Sequence, residues 1–225
     1  NYYIGQYPLA IEAFDRYIAN NNVDVDKALY YKGLATRAQE LVLAGFESNE
    51  RTQANFSGGT PEDKAAIELW SGLISTYPAS TYRMDAIQAI IETQNRYLGQ
   101  IQLAIDTALN LVAELHSAAE APDLLDTAAS YQLFDNQKQA AAESWTRIAL
   151  EFPTSEKAFN GLFFGGSVYF ELGQYDKAAE NFNRIIPMSA EPFELSAAYF
   201  WLGKISQAQG KDDEARLNWQ AAMNQ

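Results

Sequence analysis

Gly173-Gln174-Tyr175-Asp176-Lys177-Ala178-Ala179-Glu180-Asn181-Phe182-Asn183-Arg184-Ile185-Ile186 is the stretch that decides how this chain folds. Ala178, Phe182 and Ile185 stand four and three residues apart, so an α-helix puts all three on one face. The small alanine lets a neighbouring helix come close, and the large side chain fills the space beside it. Gly173, just ahead of the helix, suits a left-handed turn between two helices. The same order recurs along the chain. Segments 5–19, 61–77, 99–115, 136–152, 173–186 and 210–225 align with Ala10, Ala66, Ala104, Ala141, Ala178 and Ala215 five residues after each start. Four residues further stand Phe14, Trp70, Ala108, Trp145, Phe182 and Trp219, and three beyond these Tyr17, Leu73, Leu111, Ile148, Ile185 and Ala222. The alanines follow one another at 56, 38, 37, 37 and 37 residues. Upstream of the turns lie second periodic segments at 26–46, 85–98, 122–135, 159–172 and 196–209. Each unit is therefore a helix hairpin, which cannot bury both faces alone but can do so in a stack.

Composition agrees with this reading and narrows it. The chain has 225 residues, 48% hydrophobic and 13% aromatic, which excludes a disordered polymer. Valine occurs only at 23, 25, 42, 112 and 168, too rarely for a sheet protein. Sixteen basic against 29 acidic residues give a net charge of −13, which argues against nucleic acid or anionic lipid as the main partner. With no cysteine there is no disulfide framework, thiolate nucleophile or cysteine zinc site. No apolar run approaches the roughly 20 residues of a membrane-spanning helix. The opening at Asn1 and the helical pattern still running at Trp219–Gln225 lead us to expect a piece of a longer protein.

The columns of glycine, alanine, aromatic and aliphatic residue, with Pro78 and Pro153 five beyond the last, resemble tetratricopeptide repeats. Gly33, Gly166 and Gly203 fall on the small-residue position of the first helix; the third unit departs, with Glu92 there and Ala108 in the aromatic column. The resemblance covers nearly the whole chain. It implies an all-α fold, a right-handed superhelix (α-solenoid) of about five to six hairpins in one domain, 1–225. The units are expected at 1–22 (partial), 26–78 with an insertion at 47–60, 85–116, 122–153, 159–187 and 196–225. Two finer likenesses follow. Ala197-Ala198-Tyr199-Phe200-Trp201-Leu202-Gly203-Lys204, with Ala208-Gln209-Gly210 and Ala215, resembles the helical region ahead of the catalytic domain in soluble lytic murein transglycosylases. Glu151-Phe152-Pro153-Thr154-Ser155 and Phe170-Glu171-Leu172-Gly173-Gln174-Tyr175 resemble envelope repeat proteins, including outer-membrane assembly lipoproteins. The transglycosylase likeness ranks first of the two. Both imply a bacterial, extracytoplasmic place in the periplasm or cell envelope, which the lack of cysteine fits.

Chemistry-bearing groups are sparse. His116 is the only histidine, so a metal site or a Ser/His/Asp system would have to be built around it, and a solvated surface residue is expected. Asp123/Asp126 and Glu62/Asp63 show no spacing that marks a catalytic pair, and Asp212-Asp213-Glu214 reads as a dipole-favoured helix start. Neither Glu143-Ser144 nor Glu47-Ser48 is followed by the Gly-Leu-Met-Gln run of transglycosylases, so no catalytic residue, metal or cofactor is assigned. Gly165-Gly166 lies mid-helix at the close-packing position rather than in a phosphate loop. The polar stretch 47–59 reads as a surface loop, with Asn55-Phe56-Ser57 a glycosylation-like triplet, and Thr60-Pro61-Glu62-Asp63 as a helix start.

In tetratricopeptide arrays the first helix of each unit lines the concave side. Carried over, that geometry nominates Lys27, Tyr30, Arg37, Arg96, Tyr97, Asp126, Asn160, Phe163, Phe170, Phe200, Lys204 and Gln207 as groove residues. Aromatics, amides and scattered cations suit an extended peptide or a docked domain. The expected function is a non-catalytic scaffold for protein–protein or interdomain contact in the envelope, its partner a protein segment or the chain's own catalytic domain. The alternatives are an enzyme acting on peptidoglycan through groove carboxylates, and an adaptor binding client peptides during outer-membrane assembly.

Overall fold

The structure is a computed structural model and describes residues 6–43, 59–115 and 119–225, without the side chains of 40–43. Among the described residues it is helical throughout, with no strand. In order come α1 (Tyr7–Asn20), α2 (Val25–Leu43), α3 (Pro61–Thr76), α4 (Arg83–Glu92), a π-helical turn (Thr93–Tyr97), α5 (Ile101–Leu115), α6 (Ala121–Phe134), α7 (Lys138–Glu151), α8 (Ala158–Glu171), α9 (Tyr175–Met188), α10 (Pro192–Ala208) and α11 (Asp212–Met223). The chain divides into two compact units, Asn1–Ala104 and Ile105–Gln225, with the division inside α5. It falls within the stretch 85–116 that the periodicity reads as one repeat.

All six column alanines are buried, which is the outcome the stacking argument requires. In the first unit α1 to α4 pack in chain order, and Ala66, Trp70 and Leu73 of α3 meet Ala86, Ala89 and Ile90 of α4 in a common core. In the second unit α6 to α11 do the same, and α10 also reaches back to α8. The first-helix glycines have a physical reason. A Cβ on Gly33 would collide with the Trp70 indole, one on Gly203 with the Trp219 indole, and one on Gly166 would lie 2.9 Å from the Phe182 ring. Gly165 likewise admits the Asn181 amide, 2.9 Å from where its Cβ would stand.

The turns behave as their residues dictate. Gly99, Gly173 and Gly210 have φ of 66°, 71° and 74°, and Asn136, which starts the fourth segment, has φ 60°. After Gly173 the Gln174 N–H donates to the Tyr169 carbonyl at 2.9 Å, closing the preceding helix. At the other kind of end, Thr60 caps α3: the Asp63 N–H donates to Thr60 Oγ1 and the Thr60 N–H to Asp63 Oδ2, both at 3.1 Å, with Pro61 in the first turn. The acids Asp212, Asp213 and Glu214 occupy the first turn of α11. Two boundaries differ from the sequence reading. The segment 85–98 starts earlier and changes from α to π geometry after Glu92, and 196–209 begins at Pro192, which suits a first turn. Positions 44–46 of the second segment, loop residues 47–58 with the triplet at 55–57, and His116 lie outside the described residues.

Candidate functional site

In the first unit the nominated residues converge on Arg37. Its guanidinium pairs with Glu92 at 3.3 Å and donates to Thr93 Oγ1 at 3.1 Å, and it lies 5.4 Å from the Trp70 ring and 4.9 Å from the Tyr97 ring. Only 16% of the side chain is exposed, so this is a largely buried cation satisfied by one carboxylate, one hydroxyl and two π faces. Glu92 also accepts from the exposed Arg96 at 3.4 Å. The π turn explains the arrangement. The Leu98 N–H donates to the Thr93 carbonyl at 2.9 Å, five residues back, which carries Tyr97 over Arg37. Tyr30 stacks on Tyr82 with centroids 5.4 Å apart, and its carbonyl accepts the Trp70 indole N–H at 3.1 Å. Lys27 is exposed beside a groove of about 390 Å³ that it lines with Phe14, Tyr17 and Tyr31.

Asp26, next to Lys27, accepts a hydrogen bond from Ser80 Oγ at 2.5 Å. That bond holds its carboxyl below the ordinary 3.8, against a smaller opposing effect of burial. It joins the start of α2 to the turn before α4.

In the second unit Asp126 is an acceptor for two donors, the Trp145 indole at 2.9 Å and Lys157 Nζ at 2.8 Å; Lys157 also pairs with Asp123 at 3.2 Å. Burial works to lower the Lys157 pKa, but the hydrogen bonds and charges of Asp126 and Asp123 outweigh it, so the pKa is raised. The acidic pair that showed no catalytic spacing is thus a lysine clamp. Further along, Phe163, Phe170 and Phe182 surround Trp201, at centroid distances of 6.3, 5.4 and 5.5 Å, with the Phe182 ring parallel to the indole within 5°. Lys204 Nζ sits 4.2 Å from the Trp201 ring, 5.2 Å from Phe170 and 5.9 Å from Phe200. No carboxylate among the described residues pairs with it. Asn160 and Gln207 are exposed, and Phe200 is half exposed.

The twelve nominated residues therefore sort into two kinds. Arg37, Tyr30, Tyr97 and Asp126 are engaged in internal contacts. Phe200, Lys204, Gln207, Asn160, Arg96 and Lys27 offer surface, with Phe163 and Phe170 half-buried beneath the second unit's group. Trp201 was not nominated, yet it is the centre of that group. The signal was available, because Trp201 follows Phe164 at the 37-residue interval of the repeat. Among the described residues, no three of His, Asp and Glu gather in a way that could hold a metal ion. None of the described helices is long and apolar enough to cross a membrane.

Comparison with known proteins places this architecture. Residues 1–111, just under half of the chain, match the family YfiO, described as an outer membrane lipoprotein. No curated protein sequence matches. Among solved structures, the MamA protein is similar over 87% of this chain and 91% of its own, at 18% identity and a TM-score of 0.52. BtubC (BKLC) from P. vanneervenii is similar over 98% of this chain and 88% of its own, at 13% identity and a TM-score of 0.51. A putative kinesin light chain of Podospora anserina with nearly identical TPR-like repeats is similar over 84% of this chain and 94% of its own, at 16% identity and a TM-score of 0.50. At these identities the structural likenesses speak for the fold, and they agree with the buried alanines, the glycine–aromatic contacts and the left-handed turns. The chain has a tetratricopeptide-repeat-like fold of helix hairpins.

Proposed function

We propose that this chain is a non-catalytic scaffold of the bacterial cell envelope that holds an extended protein segment along the first helices of its hairpins. The observation that carries the reading is the surface formed by Phe200, Lys204 and Gln207 on α10 above Phe163 and Phe170 on α8. It combines rings, an amide and a cation that no carboxylate among the described residues pairs with, on a chain of net charge −13. Exposed aromatics bind apolar side chains, while the cation and amide can take carboxylates and backbone carbonyls of a peptide. The match of residues 1–111 to an outer membrane lipoprotein family supports an envelope setting, and within it an assembly adaptor rather than the helical region of a transglycosylase.

A photo-crosslinking amino acid at Gln207 or Asn160, both exposed, tests this in envelope preparations. Crosslinks to protein, reduced about tenfold by Phe200→Ala with Lys204→Ala, are expected. Crosslinks only to glycan fragments would overturn the reading. So would release of muropeptides from purified peptidoglycan by the chain, abolished by a single Asp or Glu substitution, which would establish the enzyme instead. Crosslinks only to a catalytic domain of the same polypeptide would favour the transglycosylase region.

A further inference from the structure

Between α1 and α3, over α2, the first unit holds a groove of about 620 Å³. Ile11, Leu29 and Leu69 line it, and each is partly exposed. The second unit repeats this arrangement of three helices in α7, α8 and α9. Ala10 aligns with Ala141, Gly33 with Gly166 and Ala66 with Ala178, so Ile11, Leu29 and Leu69 correspond to Ala142, Leu162 and Asn181. Those three counterparts are all buried. Tyr169 of α8, itself 5% exposed, lies between α7 and α9 beside them. Burial and then Glu143 push its phenol above the ordinary 10.0, against a hydrogen bond with Thr146, and Lys177 Nζ stands 5.1 Å from its ring. Further along α9, Arg184 pairs with Glu180 at 2.8 Å. In the first unit the places of Tyr169, Lys177 and Arg184 belong to Thr36, Ala65 and Gly72. Thr36 donates back to the Lys32 carbonyl of its own helix at 2.9 Å. The groove is thus the space that one tyrosine and two cations take up in the other copy.

We infer that this groove receives a tyrosine side chain of a partner protein, flanked by lysine or arginine, seated as Tyr169, Lys177 and Arg184 are seated in the second unit. The ring lies on Ile11, Leu29 and Leu69. The polar groups it needs are in place. Asp15, exposed and paired with Lys32 at 2.6 Å, stands where Thr146 meets the Tyr169 phenol, and its carboxylate can accept a phenol O–H. Glu68 stands where Glu180 takes Arg184, and no cation among the described residues pairs with it. Glu62 lines the groove as well. Charge therefore selects among occupants: a basic segment is attracted to this rim, while a second copy of the chain at −13 is repelled. The residues that line the groove belong to α1, α2 and α3. The site goes beyond the peptide-binding reading, whose residues lie on α8 and α10, and either can fail without the other.

The probe is the capped peptide Gly-Lys-Tyr-Arg-Gly, titrated into the whole chain with carbon-13 labels on its isoleucine and leucine methyl groups and followed by NMR. Saturable shifts at Ile11, Leu29 and Leu69, with a dissociation constant below about 1 mM, are expected. Ala65→Lys with Gly72→Arg gives the groove the second unit's residues and should weaken binding at least about tenfold. Helicity and melting temperature should not fall, because Gly72 is exposed with open space where its Cβ would be and Ala65 is partly exposed. A peptide with alanine for the tyrosine, at the same charge, should also bind at least about tenfold more weakly to the unaltered chain. Absence of saturable shifts, equal binding by the double variant, or equal binding by the tyrosine-free peptide would each overturn the inference. Phe200→Ala with Lys204→Ala should leave the titration unchanged; a loss there would put the peptide on the other surface and also overturn it.

Discussion

At the scale of single residues, the glycines make the sharpest statement. Gly33 has a tryptophan where its Cβ would be, whereas Gly72, also helical, has open space. Gly33→Ala therefore forces the buried Trp70 off its seat and should cost about 1–3 kcal/mol. Gly72→Ala loses only unfolded-state freedom and should gain about 0.5–1 kcal/mol. Urea denaturation of the two variants checks both signs at once. Asp126 offers a second contrast. Asp126→Ala leaves the Trp145 N–H, on a nearly buried ring, without its acceptor and removes a partner of Lys157, for a loss of about 1–3 kcal/mol in the same assay. Asp126→Asn keeps an acceptor oxygen for the indole and should cost less than about 1 kcal/mol. Because the Lys157 pKa is raised, the clamp's contribution is complete below the ordinary 10.5 and disappears as pH climbs through the higher folded value.

At the scale of elements, what sequence reveals is what is local. The alanine columns, the cap at Thr60 and the turns at Gly99, Asn136, Gly173 and Gly210 were legible because each depends on residues within one helix or one turn. The Arg37–Glu92 pair was not, since 55 residues and an insertion separate its members. Nor was the role of Asp126. Spacing placed it among the inward candidates, but nothing local says that an indole 19 residues on will claim its oxygen. The join between α2 and the turn before α4 is similarly hidden, and it is testable by pH. Ser80 holds the Asp26 carboxyl below 3.8, so the bond's contribution is complete above that value and fades as pH falls through the folded pKa. Ser80→Ala should be the less stable protein near neutrality and converge on the wild type in acid. Denaturation midpoints across pH 2–7, with an NMR titration of Asp26, measure this.

At the scale of the whole molecule, charge acts on everything. Twenty-nine acids against 16 bases repel one another more in the compact state than in an extended chain. Raising sodium chloride from about 0.05 to 0.5 M shortens the screening length severalfold and should raise the melting temperature, although it weakens exposed pairs such as Lys138–Glu171. A melting temperature that falls instead would show that ion pairs outweigh the repulsion. The division after Ala104 is the feature of this scale that periodicity did not state, though it left a trace. Glu92 and Ala108, where the third unit departs from the column pattern, stand on either side of it.

The placement of the four indoles makes the two units optically separable. Trp70 is the only tryptophan before residue 105, and it is wholly enclosed; Trp145, Trp201 and Trp219 belong to the second unit. A chain with phenylalanine at 145, 201 and 219 emits from the first unit alone, and one with phenylalanine at 70 from the second alone. Red shifts of their fluorescence along a denaturant series would time the opening of each unit, with no dye attached.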